Sequence, residues 1–129
     1  MPTPQDIQRV VEAYFAATRA MDLDAWLATF APDAVMYDPS GPPVRGHAAL
    51  RQFFQGITAA FASVGLTEQA IHLLGSRAAT QWVGEGVGKN GRRVKFEGID
   101  VFEINDAGMI QTLWGYWDPA AMMAELSRA

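Results

Sequence analysis

The sequence predicts a single α+β domain, spanning residues 1–129, in which a curved antiparallel sheet packs over three helices. Two observations support this prediction. Apolar residues recur at helical spacing in the first half of the chain, and strand-like runs separated by turn signals fill the second half. A chain of 129 residues is long enough for one hydrophobic core but too short for two. Helices packed over a curved sheet leave a space between the layers, where we expect the functional site.

Three helices are predicted in the first half of the chain. Thr3-Pro4 supplies a hydroxyl cap and a proline at the first helical position, and the apolar face that follows includes Tyr14. Residues 22–30 begin with an aspartate cap and have the pattern of a second, short helix. Between residues 46 and 64, apolar side chains keep a helical period, which predicts the third helix.

The remaining segments are predicted to be strands and turns. Residues 34–38 form a brief strand, and a loop rich in proline and glycine follows it. Asn90-Gly91 is the strongest turn signal, because both central positions of a two-residue type I′ turn need positive φ. Asp118-Pro119 caps a short final helix. The four longer strands are predicted at residues 67–74, 77–88, 93–104 and 109–117.

The register across the Asn90-Gly91 turn decides which side chains of the preceding strand face the interior. With a two-residue turn, Glu85 faces the cavity, which implies a polar ligand. A bulge in the glycine-rich stretch around Glu85 would instead turn this side chain outward and place Trp82 inside. The sequence leaves both arrangements open.

Composition and charge exclude several classes of function. The formal net charge is −4 and the basic residues are scattered, so neither nucleic acid nor a membrane surface is an expected partner. The chain has no cysteine, and its two histidines, His47 and His72, are not at metal-ligand spacing, so we expect no metal site. No glycine-rich phosphate-binding motif is present, so we expect no cofactor. The start of the chain lacks the pattern of a signal peptide, which predicts a soluble, cytoplasmic protein.

Asp100 lies on the apolar face of its predicted strand. Side chains alternate between the two faces of a strand, and Asp100 shares its parity with Phe96 and Phe102, whereas Glu97 and Glu103 lie on the other face. Burial of an ionised carboxylate without partners costs several kcal/mol or more, and the usual relief is a raised pKa. We therefore predict that Asp100 is neutral at pH 7 and donates a hydrogen bond. The alternative is a structural acid whose charge a backbone amide or an arginine satisfies.

Tyr14, Asp38 and Asp100 would form a catalytic set if they met in the cavity. A phenol and a protonated carboxyl would offer two donors to one oxygen, and an ionised Asp38 would accept a proton. Two donors and a carboxylate base suit removal of a proton beside a carbonyl group, with an enolate as the intermediate. Each residue also has an ordinary alternative role: Asp38 as a turn residue and Tyr14 as a core side chain.

Four segments of the chain resemble bacterial ketosteroid (Δ5-3-ketosteroid) isomerases of the NTF2-like, or SnoaL-like, superfamily. They are "EAYF" at 12–15, "YDPSGPPVRG" at 37–46, "GIDVFEINDAGMIQT" at 98–112 and "GYW" at 115–117. The resemblance implies a conical fold around an apolar cavity, and it implies a homodimer formed through the outer face of the sheet. It also implies an oxyanion hole made by Tyr14 and Asp100, with Asp38 as the base. Ketosteroid isomerases are a known example of a carboxylic acid kept neutral so that it can donate.

The resemblance further implies a small apolar ketone or a steroid-like molecule as the ligand. Phe54 stands where this family commonly has a tyrosine that supports the oxyanion-hole tyrosine, so the tuning of Tyr14 is expected to differ. Core packing is the alternative role for most of the residues predicted to form the substrate-binding wall. These are Phe30, Phe54, Phe96, Leu113 and Trp117.

Two other functions are compatible with the same sequence. One is a non-catalytic protein that binds a small apolar molecule in the cavity and needs no base. The other is a different enzyme on the same fold, such as a polyketide cyclase, a dehydratase or an epoxide hydrolase. A cyclase would also form an enolate, but usually in a pocket of different shape.

Overall fold

A computed structural model of the protein describes residues 1–128 and confirms the predicted α+β class. These residues form four helices and one six-stranded sheet. In chain order, the elements are α1 (Pro4–Ala20), α2 (Leu23–Ala28), β1 (Phe30–Tyr37), β2 (Val44–Arg45), α3 (Gly46–Thr58), β3 (Phe61–Leu74), β4 (Arg77–Gly88), β5 (Arg93–Ile104), β6 (Ile110–Trp117) and α4 (Pro119–Leu126).

The strands lie in the order β2-β1-β6-β5-β4-β3. All neighbouring strands are antiparallel except β1 and β6, which run parallel. The sheet is therefore mixed, whereas the sequence pattern predicts an antiparallel sheet. A parallel pair is possible here because β1 and β6 are separated by most of the chain and need no tight turn between them. Helix α1 packs against β3, and α3 packs against β1, so both helices cover one face of the sheet.

The predicted helix caps are confirmed. The backbone N–H of Asp6 donates to Thr3 Oγ1 at 3.1 Å, and the Thr3 N–H donates back to the Asp6 carboxylate at 3.3 Å, which completes a capping box. Asp22 caps α2, and Asp118 caps α4, each through a backbone N–H three residues later. These polar side chains set where the helices begin.

The predicted third helix extends too far. Helix α3 ends at Thr58, and Phe61 and Val64, which fit its helical period, belong to β3 instead. Phe61 pairs with Gly88 in β4, and Val64 pairs with Gly86. Long-range strand pairing therefore overrides the local periodicity. The two-residue strand β2 has no signal in the sequence pattern and was not predicted.

The β4–β5 hairpin differs by one residue from the predicted register. The loop has three residues, Lys89 to Gly91, because the Gly88 N–H donates to Arg92 O at 2.8 Å. Only Gly91 has a positive φ, 81°, as in a type I turn followed by a bulge, so the predicted two-residue type I′ turn is wrong. A slip of one residue exchanges the faces of a strand.

The corrected register decides between the two arrangements that the sequence left open. Trp82 now lies opposite Gly98 on the inner face, and it is buried. Glu85 is exposed on the outer face, where its carboxylate lies 3.6 Å from the Lys95 ammonium group. The cavity wall thus gains an indole ring in place of a carboxylate.

Glycines on the inner face of β4 make room for aromatic rings from other strands. A methyl group at Gly84 would lie 2.4 Å from the ring of Phe96, and one at Gly86 would lie 2.6 Å from the ring of Phe61. Both rings therefore rest directly on the β4 backbone. The glycine-rich stretch of β4 is a packing surface for these rings.

The outer face of the sheet carries exposed apolar side chains. Ile99 and Tyr116 lie opposite each other on β5 and β6, and both are exposed. The homodimer that would cover this face stays a prediction. None of the helices in residues 1–128 is long and apolar enough to cross a bilayer.

We expect Gly84→Ala to destabilise the fold. The added methyl group would overlap the ring of Phe96, and overpacking of this kind typically lowers the free energy of unfolding by about 1–3 kcal/mol. Urea denaturation measures the change. Gly41→Ala is the matched control, because a methyl group there meets no atom within 4 Å. Equal stability of the two variants would show that Phe96 does not rest on Gly84.

Candidate active site

A cavity lies between the helices and the inner face of the sheet. Its volume is about 90 Å³, well below the roughly 300–1,000 Å³ of typical ligand pockets. Its wall is mostly apolar and receives side chains from all four helices and from five strands. The polar and indole-bearing side chains on this wall are Tyr14, Thr18, Trp26, Asp38, Thr58, Trp82, Asp100 and Trp117. All three residues of the predicted catalytic set thus reach one cavity.

Asp100 is buried on the inner face of β5, as the alternation of the strand predicts, and only 4% of its surface is exposed. Burial raises its pKa from 3.8 to about 7; the nearby indole of Trp82 opposes this rise, and the charge of Asp38 adds to it. The pKa is shifted in the direction that the sequence predicts, towards a carboxyl that can carry a proton at neutral pH.

Tyr14 projects from α1 into the cavity through a cage of aromatic rings. Its ring makes edge-on contacts with Phe15 and Phe102 at centroid distances of 5.0 and 5.1 Å. Burial, followed by the charge of Asp100, raises the pKa of Tyr14 well above its usual value. The nearby indole N–H of Trp26 opposes this rise. The hydroxyl therefore keeps its proton at neutral pH and can donate it to a ligand.

Asp38 is half-buried immediately after β1, and both of its carboxylate oxygens are held by hydrogen bonds. Oδ1 accepts the indole N–H of Trp117 at 2.8 Å. Oδ2 accepts the backbone N–H of Ser40 at 2.9 Å and also the Ser40 hydroxyl. Asp38 is thus the turn residue that the sequence suggests and also a cavity residue. Three donors on one carboxyl suit an ionised group, since a carboxylate only accepts.

Gly115 separates Asp38 from Asp100. A methyl group at this position would lie 3.4 Å from Asp100 Oδ1 and 3.5 Å from Asp38 Oδ1. Because glycine has no side chain, the two carboxyl groups face a common open space. The charge of Asp38 also raises the pKa of Asp100, as expected for two acids that share a site.

The structure places four of the five predicted wall residues along the cavity. These are Phe54, Phe96, Leu113 and Trp117. The fifth, Phe30, does not reach the cavity, because it is fully buried in the core, where its ring packs 4.7 Å from Trp26 and 6.0 Å from Tyr14. Its position at the start of β1 directs it behind Tyr14.

Two tryptophans near the catalytic set were not predicted as site residues. Trp26 of α2 lies between Tyr14 and Phe54, with ring centroids 6.1 and 5.0 Å away. Trp82 lies beside Asp100, but its indole N–H has no hydrogen-bond partner. The sequence offered Trp82 only as one of two register alternatives. For Trp26 it gave no signal beyond an apolar position on a short helix.

Within residues 1–128, no three acidic or histidine side chains form a group that could hold a metal ion. The two histidines lie apart from the catalytic set. His47 Nε2 contacts the backbone carbonyl of Phe30 at 3.0 Å, and His72 is exposed on β3.

The chain is similar in sequence and structure to known proteins. The pattern of the SnoaL-like domain matches residues 11–112. A steroid Δ-isomerase of Nocardioides simplex is 29% identical over 120 residues, which cover 92% of this chain and 94% of that protein. The solved structure of an NTF2-like protein of unknown function from Burkholderia pseudomallei matches this chain with a TM-score of 0.85 at 21% identity. The match covers 95% of this chain and 98% of that protein, and it confirms the NTF2-like fold.

A second solved structure adds a cyclase-like enzyme to the comparison. SalBIII, described as an epoxide hydrolase/cyclase-like enzyme with a role in pyran ring formation in the polyether salinomycin, is 26% identical. It has a TM-score of 0.82, and the match covers 93% of this chain and 96% of that one. Similar proteins therefore include enzymes of more than one reaction type.

We expect Asp100→Asn to stabilise the protein above pH 7. Because the folded-state pKa of about 7 exceeds the unfolded value of 3.8, the folded state binds more protons between these values, and the free energy of unfolding falls as pH rises through this range. The loss for this one group is up to about 4 kcal/mol. Asparagine does not titrate, so the variant does not undergo this loss. It should be more stable than the wild type at pH 8, and its free energy of unfolding should depend less on pH.

Urea denaturation at pH 5, 6.5 and 8 tests this prediction. Asp24→Asn is the control, because the Asp24 side chain is 86% exposed. If the wild type and Asp100→Asn show the same dependence of stability on pH, Asp100 does not carry a raised pKa.

Proposed function

The chain belongs to the SnoaL-like domain family, and we propose that it is a cofactor-independent isomerase that moves a proton beside a carbonyl group through an enolate. The observation that supports this function most directly is the arrangement around Gly115. Two carboxyl groups face one open space there, and they differ in their surroundings: Asp100 is buried with a raised pKa, whereas Asp38 accepts three hydrogen bonds. Such a pair can supply an acid and a base at the same pH.

In the first step of the proposed reaction, a ketone binds with its oxygen between the Tyr14 hydroxyl and the protonated Asp100 carboxyl. Asp38 removes a proton from the carbon next to the carbonyl group. The C–H bond breaks, an O–H bond forms on Asp38, and the carbon electron pair moves into a new C=C bond as the carbonyl π electrons move onto oxygen. The two donors stabilise this developing negative charge.

In the second step, Asp38 returns the same proton to a different carbon of the enolate. For a β,γ-unsaturated ketone, this carbon is the γ position, and the product is a conjugated enone. Trp117 and Ser40 hold both Asp38 oxygens, so the carboxylate can keep its orientation while it carries the proton between the two carbons. No net proton is gained or lost.

The size of the cavity supports a compact ketone as the substrate. A volume of about 90 Å³ is below the roughly 150 Å³ of a cavity that binds benzene, so a one-ring ketone would need a modest widening of the cavity and a four-ring steroid a much larger one. The apolar wall supports a substrate with few polar groups beyond its carbonyl. The similarity to a steroid Δ-isomerase supports the reaction type.

A cyclase is the second candidate, because SalBIII is similar in both sequence and structure. A cyclase that works through an enolate would use the same donors and base. The difference lies in the second step, in which the enolate carbon would attack a second carbonyl carbon of the same substrate; the π electrons of that carbonyl would move onto its oxygen, which would then take the proton from Asp38. A non-catalytic binder would need neither step and would not depend on Asp38.

We expect Asp38→Asn to abolish most of the isomerase activity. A positioned general base typically contributes about 10²–10⁴-fold to the rate, and an amide cannot accept the proton. The assay follows the ultraviolet absorbance of the conjugated enone formed from cyclohex-3-en-1-one and, separately, from a Δ5-3-ketosteroid. Asp24→Asn is the control, because the exposed Asp24 side chain does not line the cavity. Activity that survives Asp38→Asn unchanged would contradict the assigned base.

The outcomes of this assay also separate the candidate functions. Conversion of either ketone by the wild type supports the isomerase. If the wild type binds the ketones without converting them, the binder or the cyclase is favoured over the isomerase.

We expect Gly115→Ala to lower kcat by at least about tenfold while the protein stays folded. The methyl group would make ordinary van der Waals contact with both carboxyl groups, so it fills the shared space without a steric clash. A displacement of about 1 Å at a reacting centre can cost on the order of 100-fold in rate. Enzyme kinetics and thermal denaturation measure the two effects. Wild-type kcat in this variant would show that the substrate does not occupy the space at Gly115.

A further inference from the structure

Two buried polar side-chain atoms in residues 1–128 have no hydrogen-bond partner, and both lie on β4 beside Asp100. They are Thr80 Oγ1 and Trp82 Nε1. Thr80 pairs directly with Asp100 across the strands, and Trp82 lies two residues further along the same inner face. Buried donors without partners are rare in folded proteins, and each one calls for an explanation. Of these two residues, only Trp82 reaches the cavity wall.

The ring of Trp82 is held firmly in this position. Gly98 lies opposite it on β5, and a methyl group there would be 2.7 Å from the Trp82 ring. Phe96 and Trp117 contact the ring edge-on, with centroid distances of 5.9 and 6.1 Å. Because the ring is packed against the backbone and two other rings, its N–H cannot turn away to find another partner.

The indole N–H lies close to Asp100 without a hydrogen bond to it. It is near enough to lower the pKa of Asp100, but its geometry leaves the donor unpaired. An indole N–H can only donate, so a partner must bring a lone pair to it. Trp82 lines the same cavity as Tyr14 and Asp100, and it lies next to Asp100, so a ligand oxygen bound by Asp100 is the nearest acceptor that this cavity can bring to its N–H.

We propose that the Trp82 N–H is a third donor to the oxygen of the bound ligand, beside Tyr14 and Asp100. This inference rests on the proposed function, because it requires a ligand with an oxygen acceptor in the cavity. It also deepens that function. A ketone oxygen has two lone pairs, which Tyr14 and Asp100 can occupy, whereas an enolate oxygen has three. The third donor therefore binds the enolate in preference to the ketone, and such differential binding accelerates the reaction.

The proposal can be tested with two small ligands at pH 7. The first is 4-nitrophenol, whose phenolate oxygen carries charge as an enolate does, and the second is cyclohex-2-en-1-one, a neutral ketone. Protein labelled with ¹⁵N in its indole rings is titrated with each ligand and observed by ¹H–¹⁵N correlation NMR. Trp114 is the internal control, because it lies on the outer face, stacked on Tyr37 and beside the Arg77 guanidinium group.

We expect 4-nitrophenol to move the Trp82 indole proton downfield and to leave that of Trp114 in place. Trp82→Phe should weaken binding of 4-nitrophenol by about tenfold or more, since hydrogen bonds to charged groups are worth more than neutral ones. It should weaken binding of the neutral ketone much less, and it should lower kcat more than it raises KM. Trp114→Phe should change neither affinity. Benzothienylalanine at position 82 keeps the ring shape without the N–H and serves if Trp82→Phe folds poorly.

Three results would overturn the proposal. If 4-nitrophenol binds and Tyr14→Phe weakens its binding while the Trp82 proton does not move, Trp82 is not a donor and the proposed function stands. If Trp82→Phe weakens both ligands equally without a downfield shift in the wild type, Trp82 acts by packing alone. If neither ligand binds the wild type, the proposed function is contradicted, and so is the proposal of a third donor, which depends on it.

Discussion

The site depends on one constraint, the burial of the Asp100 carboxyl among apolar side chains. An ionised carboxylate in this position loses its hydration, and no arginine or lysine lines the cavity to compensate it. Protonation removes this charge, so burial favours the protonated carboxyl and raises the pKa of Asp100. The fold tolerates this cost because Asp100 sits in the middle of β5, where pairing with β4 and β6 fixes the backbone. The same burial turns an acid into a hydrogen-bond donor.

The small residues around Asp100 decide which groups can approach it. Gly115, directly opposite on β6, leaves open the space that Asp100 shares with Asp38. Gly98, two residues earlier on β5, lets the ring of Trp82 and the Cβ of Trp117 lie against the backbone. These close approaches set the shape of the cavity. These two glycines thus help to position the side chains of the site, because the absence of a Cβ atom lets side chains from neighbouring strands approach the backbone.

The sequence predicted the parts of this site that depend on short-range patterns. The alternation of side chains along 94–104 placed Asp100 on the inner face, and the caps at Thr3, Asp22 and Asp118 set the starts of three helices. It failed where the local pattern fits more than one arrangement. A loop of three residues instead of two, closed between Gly88 and Arg92, moved the β4 register by one. Similarly, a helical period continued into β3 because the pairing partner in β4 is invisible locally.

Three of the four tryptophans lie close to the three oxygen-bearing groups of the catalytic set: Trp26 to Tyr14, Trp82 to Asp100 and Trp117 to Asp38. An indole N–H donates and never accepts, so each one can fix the direction of a neighbouring hydrogen bond. Beside Tyr14, where the resemblance would expect a tyrosine at Phe54, the neighbouring polar group is Trp26. A tyrosine there could donate or accept, whereas the indole leaves Tyr14 only the role of acceptor towards it. Trp26 therefore cannot take the Tyr14 proton, which stays available for the ligand oxygen that the proposed reaction places in the cavity.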